Sequence, residues 1–222
     1  MYPNLRELKL ASWSLLLKFA FVFFSLAMLW LDIAVFHTQI LEISFTEISQ
    51  ELMLFIIAVL FWTLRTSKGH AGFKALAGGF FACLLMRELD GLFDPISHSA
   101  WCAPFLAIAA VCVTLAVSQT NRRQTLADLA AFTQSRAFGA FATGFGVLLF
   151  SRVFGMGSFW HLVLGEGYER LAKTTVEEGV ELLAYSMWLA TTIEYRLSAI
   201  ATPALISPKQ STGEGKIQTH SV

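Results

Sequence analysis

Six stretches of about twenty predominantly apolar residues follow one another along the chain, separated by short polar or charged segments. They cover roughly residues 13–36, 46–64, 71–90, 101–118, 137–155 and 176–195. A hydrocarbon layer about 30 Å thick takes about twenty apolar helical residues to cross, and inside it each backbone amide must bond within the protein. The pattern predicts an all-α integral membrane protein: a six-transmembrane-helix bundle formed by residues 1–200 as one domain. The 222-residue chain is 55% hydrophobic and 14% charged, whereas soluble domains carry about 25% charged residues. The first run lacks a small-residue cleavage site and continues through Trp30 and Asp32, so it reads as a retained span. Lys18 inside it is expected to snorkel to the near interface. Residues 201–222 are polar and poor in bulky side chains, which predicts a disordered cytoplasmic tail.

Loop charge sets the expected orientation. With the N-terminus inside, the inner segments carry Arg6, Lys9, Arg65, Lys68, Lys74, Arg122, Arg123, Arg136, Arg196, Lys209 and Lys216, and the outer side carries Arg87, Arg152, Arg170 and Lys173. This positive-inside bias places both termini in the cytoplasm. Compact length and short loops suit a bacterial inner membrane. Acids run the other way: Asp32, Glu42, Glu47, Glu51, Glu88, Asp90, Asp94, Glu166, Glu169, Glu177, Glu178 and Glu181 are all on the outer side. Acids contribute little to topology, so their concentration at one end needs a separate cause.

Four spans bring ionisable groups to that end. The second opens with Glu47 and Glu51 on one helix face, with Gln50 beside them. The third closes with Cys83, Arg87, Asp90 and Asp94, which share a face if the helix continues. The fifth closes with Ser151 and Arg152. The sixth contributes Glu177, Glu178 and Glu181, then Tyr185, Trp188 and Thr192 on one stripe. His98 and His161 join at the same level, His161 in a glycine-bracketed segment, 155–171, too short to cross and readable as a lid. Ser44-x-x-Glu47, Thr174-x-x-Glu177 and Thr175-x-x-Glu178 match capping boxes, making Glu177 a helix-start residue. Glu51 and Glu181 lie beyond the first turn, where an acid inside a span is a functional candidate. Arg87 is the expected partner of Glu51, and Arg152 or His161 that of Glu181.

The leading expectation is a metal-dependent hydrolase of a lipid-like substrate. Its ligands to Zn, Fe or Mn come from Glu51, Asp90, Asp94, His98, His161, Glu178 and Glu181, with Glu181, Glu51 and His161 as catalytic groups. No two-histidine metal motif is present. The alternative is a proton or cation channel or transporter, with the acidic mouth concentrating cations. A third is a non-catalytic subunit whose ion pairs, through Arg87 and Arg152, fix packing. Cys83, Cys102 and Cys112 lie in apolar runs and suggest small core residues without a disulfide framework. The basic residues are accounted for by topology, and no glycine-rich phosphate loop occurs, so nucleic acid is not an expected partner; the lipid bilayer is. Between the spans, Leu126, Leu129 and Phe132 predict a short amphipathic helix at the interface. Ala140-xxx-Gly144 and Ala142-xxx-Gly146 predict close helix approach.

Overall fold

The computed structural model describes residues 3–38, 40, 43–64, 70–118, 120–165 and 170–201. Among these, every regular element is helical. They are α1 (Pro3–Trp30), continued by a π-helical segment at Leu31–Phe36, α2 (Phe45–Trp62), α3 (Ala71–Glu88), α4 (Asp90–Phe93), α5 (Cys102–Val117), α6 (Arg122–Thr133), α7 (Arg136–Phe154), α8 (Gly157–Leu164) and α9 (Arg170–Ala201). The expected tail beyond residue 201 lies outside the described residues, as do Arg65, Lys68, Glu42, Glu166 and Glu169.

Among the described residues, three helices are long and apolar enough to cross a membrane: Glu7–Phe36, Phe45–Trp62 and Arg136–Phe154. A fourth is obtained if α5 and α6, bent by 102° from one another, count together. The other expected spans are helical but fall short of that standard for separate reasons. α3 carries Lys74, Arg87 and Glu88. α5 has 16 residues, about 24 Å of helix. α9 carries Glu177, Glu178, Glu181 and Glu194 among its 32 residues.

α9 is the hub. Between Glu181 and Thr192 its residues are buried or half-buried all round, because α1, α2 and α7 pack against it on different sides. Glycines bring helices to close range. Gly144 of α7 lies against the Trp188 ring, where any Cβ would collide, and Gly79 of α3 lies likewise against Cys112 of α5. Of the two expected small-residue pairs, Ala140-xxx-Gly144 therefore makes a helix contact, whereas Gly146 has nothing within 4 Å of where a Cβ would stand. On α6, Leu129 and Phe132 pack on the core, but Leu126 is exposed, so the apolar stripe is narrower than its spacing implies. Rings dominate the interior: Phe61 meets Phe73, Phe81, Phe141 and Tyr195.

Polar contacts fix neighbouring helices in register. Lys18 does not snorkel; its Nζ donates to Glu194 Oε2 at 3.1 Å, tying α1 to α9. Ser25 and Ser186 hydroxyls, both buried, are 2.5 Å apart across the same pair of helices. Arg196 donates to Leu60 O (3.0 Å) and Thr63 Oγ1 (2.6 Å), closing the end of α2.

The entry to α2 is built on Asp32, which is fully buried. Its carboxylate accepts from the amides of Phe45 (2.9 Å) and Thr46 (2.7 Å) and from the hydroxyls of Thr46 (2.6 Å) and Thr38 (2.9 Å). Ser44 Oγ accepts from Glu47 N at 3.1 Å, so this expected cap is present. The first amides of a helix have no partner within it, and an anion suits the positive end of the dipole. The π-helical segment and the left-handed His37 and Ile40 (φ 51° each) fold the chain back so that Asp32 meets the helix after it. Asp32→Ala removes four charge-assisted bonds at once, and such caps and bonds are worth about 1–3 kcal/mol each without being additive. Reversible unfolding in mixed micelles is expected to show a loss of about 3 kcal/mol, with Ser44→Ala costing about 1 kcal/mol.

Candidate ion-binding site

The C-terminal ends of α3 and α7 deliver cations to one level of the bundle, and α9 delivers carboxylates. A basic side chain in the last turn of a helix faces the negative end of its dipole. Arg87 on α3 and Arg152 on α7 both occupy that position.

Glu181 is 1% exposed. Its Oε1 is paired with Arg152 and accepts from Ser151 Oγ at 3.1 Å. Ser151 also reaches Leu148 O at 2.6 Å, so its single hydrogen faces two acceptors. Glu181 Oε2 is buried and has no hydrogen-bond partner among the described residues. Arg152, rather than His161, is thus the partner.

Arg87 turns to its chain neighbour instead of to Glu51. Its Nη1 donates to both oxygens of Glu88 at 3.1 Å. The fully buried Tyr185 donates its hydroxyl to Glu88 Oε1 at 2.7 Å. Glu88 therefore stands at the centre of the layer, within electrostatic reach of Glu51, Glu178 and Glu181. Nothing in the spacing singled it out. Adjacent residues do not face one another along a helix, and only the position at the helix end lets Arg87 fold back over it.

Glu178 is held by Gln50, whose Nε2 donates to Glu178 O (3.0 Å) and Oε2 (3.1 Å). Glu177 is not a helix-start residue. α9 begins at Arg170, and Thr174 Oγ1 donates to Arg170 O inside it, so both threonine capping boxes lie within the helix. Glu177 faces Arg152 (3.8 Å) and Lys173 (3.9 Å) and packs against Gly155.

The rest of the expected layer is elsewhere. α3 ends at Glu88, and α4 restarts at Asp90, so Cys83, Arg87, Asp90 and Asp94 do not form one uninterrupted face. Cys83 is buried, with its Sγ donating to Phe105 O at 3.7 Å. Asp90 is half-buried. Asp94 is exposed and bonded at 3.0 Å to His98, whose side chain is 94% exposed. His161 is exposed on α8. That helix packs against α7, and Trp160 Nε1 donates to Phe154 O at 2.6 Å. Its described part packs on the end of α7, and residues 166–169 of the expected lid segment lie outside the described residues. Among the described residues no group of three or more His, Cys, Asp or Glu is placed to hold a metal ion. Of the expected ligands, Glu51, Glu178 and Glu181 stand near Glu88, whereas Asp94, His98 and His161 are exposed and Asp90 is half-buried.

Among the described residues, the carboxylates of Glu51, Glu88, Glu177, Glu178 and Glu181 outnumber the cations Arg87, Arg152 and Lys173, and Glu47 and Asp90 lie within electrostatic reach of the same groups. Fully ionised, the layer holds an excess of negative charge in a largely buried setting, where like charges repel far more strongly than in water.

Comparison of the chain with protein-family models, with curated proteins and with solved structures returned no match.

Breaking one side of a buried pair costs about 3–5 kcal/mol, while replacing both sides by apolar groups is often neutral. Arg152 is 37% exposed, and solvent screening lowers the figure. Arg152→Met is expected to cost about 2 kcal/mol. Arg152→Met combined with Glu181→Leu is expected to recover most of that, as read by thermal unfolding of the four members of the cycle.

Proposed function

We propose that this is a six-span membrane protein, with both termini cytoplasmic, whose outer-end carboxylate layer takes up protons or a small cation at Glu181. The observation that carries the reading is Glu181 itself: fully buried, with one oxygen spoken for by Arg152 and Ser151 and the other without a partner among the described residues. A buried carboxylate oxygen left without a bond is costly, and a proton or a cation at that position removes the cost. The negative excess of the layer favours the same occupants. For the membrane setting, the support is the positive-inside charge bias and the apolar exterior of α1, where Leu8, Leu16, Phe19, Phe23 and Trp30 are all more than half exposed.

Uptake is from one side. Below the layer stand Tyr185, Trp188, Phe61 and Phe81, a closed aromatic tier. The hydroxyls of Thr191 and Thr192 are bonded to their own helix, at Met187 O and Trp188 O. The next acid, Glu194, is taken by Lys18. At this level the buried hydroxyls of Ser25 and Ser186 bond to one another, and α9 carries no titratable group between Tyr185 and Glu194, so a binding site that answers to the outer solution fits better than a conducting pore. Metal-dependent hydrolysis loses its support, because no group of its expected ligands is placed to hold a metal ion among the described residues.

Difference infrared spectroscopy of the protein in nanodiscs, stepped between acidic and alkaline solution, reads buried carboxyl groups directly. One carboxylic-acid band is expected to appear on acidification and to be missing in Glu181→Gln. A parallel scan of thermal stability against Na⁺, K⁺ and Ca²⁺ separates proton from cation uptake. If no carboxyl titrates and no cation shifts the unfolding temperature, the layer is an ion-pair cluster that only fixes packing. A reporter fused after Val222 is expected on the cytoplasmic side, and an outside location would overturn the orientation.

A further inference from the structure

The opposite half of the bundle contains a cavity of about 450 Å³ between α3, α6, α7 and α9. It exists because α3 packs on α2 and α5 while α7 packs on α9. The facing sides of α3 and α7 are left to meet through rings such as Phe80 with Phe145 (6.4 Å between centroids) and Phe81 with Phe141 (5.9 Å). Its lining is phenylalanine, leucine and alanine, closed on the α9 side by Trp188. The indole nitrogen is the only side-chain heteroatom there, and it already donates to Phe141 O at 3.0 Å. Nothing in the wall remains to bond a polar ligand. The volume lies within the range of small-molecule sites, about 300–1,000 Å³. A helix with side chains is about 10 Å across, so 450 Å³ would admit only about one turn of it. A thin, flexible, apolar chain fits, and a partner helix does not.

The end of the cavity is cationic. α6 lies across it, held at Asp128 by His70 Nδ1 (2.8 Å) and at Thr125 by close contact with Gly72. Phe132 and Phe138 belong to the lining, and Arg136 opens α7 two residues before Phe138. Arg122 and Arg123 open α6, about 18 Å away along a 12-residue helix. All three arginines are exposed and have no ion-pair partner among the described residues. An apolar slot with an unpaired arginine at its mouth, beside a helix N-terminus, matches the two ends of one kind of molecule. We infer that the slot holds one acyl chain of an anionic phospholipid, with its phosphate at Arg136. Arg122 and Arg123 add a longer-range attraction to the anionic leaflet.

The setting also says where the selectivity lies. Moving an acyl chain from bilayer to slot gains no hydrophobic energy, because lipid tails are as apolar as the wall. Filling the slot restores dispersion contacts to rings that otherwise face a gap, which any chain of suitable length supplies. Preference among lipids therefore comes from the head group, and a zwitterionic lipid competes poorly. The site does not depend on the carboxylate layer, from which Tyr185 and Trp188 separate it.

Native mass spectrometry of the full chain released from nanodiscs of mixed phosphatidylglycerol and phosphatidylcholine tests this. One retained phosphatidylglycerol per chain is expected, and Arg136→Gln is expected to lower its retention about tenfold, the loss of one charge-assisted contact. Ala77→Phe and Ala142→Phe fill the slot from opposite walls and are expected to abolish retention while leaving the helical circular-dichroism spectrum unchanged. Quenching of Trp188 by phosphatidylglycerol brominated on its chain, read as the difference between wild type and Trp188→Phe, gives a measure independent of folding variants. Equal retention of both lipids, retention that survives both filling substitutions, or the absence of chain-specific quenching each overturns the assignment. So does a dimer that forms through this face in place of lipid.

Discussion

A helix buried on every side cannot leave its polar groups to solvent, and α9 carries more of them than any other helix of the bundle. From Glu177 to Arg196 each charged group it brings inward has to find a bond on a neighbouring helix. The neighbours are arranged accordingly. Arg152 and Ser151 end α7 at the level of Glu181, Gln50 begins α2 at the level of Glu178, and Lys18 sits opposite Glu194 on α1. These pairs set the axial register of three helices against the fourth. In an apolar surrounding, packing alone discriminates weakly between registers, because sliding one smooth apolar face along another changes little. Polar groups whose partners stand at one height only make a slip expensive.

The layer at Glu181 combines this structural duty with an imbalance that structure does not need. Arg152 and Glu181 are sufficient for a pair, as are Arg87 and Glu88. Glu51 and Glu178 add negative charge near Glu88 without bringing cations of their own. A purely mechanical cluster tends toward neutrality, since every uncompensated charge away from water costs energy. An excess of this kind is what the proposed uptake of a proton or a cation would draw on, and the aromatic tier beneath it is why that uptake is proposed from one side.

The sequence made the helical class, the polar outer end and the Arg152–Glu181 pair legible, because each follows from periodicity or from opposite charges at matching depth. What stayed hidden depended on which helices are neighbours. Lys18 looks like a snorkelling residue until α1 is known to lie on α9, where Glu194 waits at its height. Glu177 looks like a cap until the helix is seen to begin seven residues earlier, at Arg170. Asp32 reads as one more outer acid, and its hold on α2 needs a π-helical segment and two left-handed residues that no apolar pattern announces. The expected metal ligands are not gathered among the described residues for a related cause. Span ends suggest that acids and histidines share a level, but Asp94 and His98 lie after the end of α4 and His161 is exposed on α8.

The order in which the chain is made gives the central position of α9 a further meaning. In chain order α9 follows every described element that packs around it. Until it arrives, Lys18, Gln50 and Arg152 lack the groups that answer them, whereas Arg87 and Glu88 already have each other. The hairpin of α1 and α2 can close early, since Asp32 supplies its clasp from within. The remaining helices then form a half-built ring with its charges turned toward an absent centre. The arrival of α9 and the closing of the bundle become the same event.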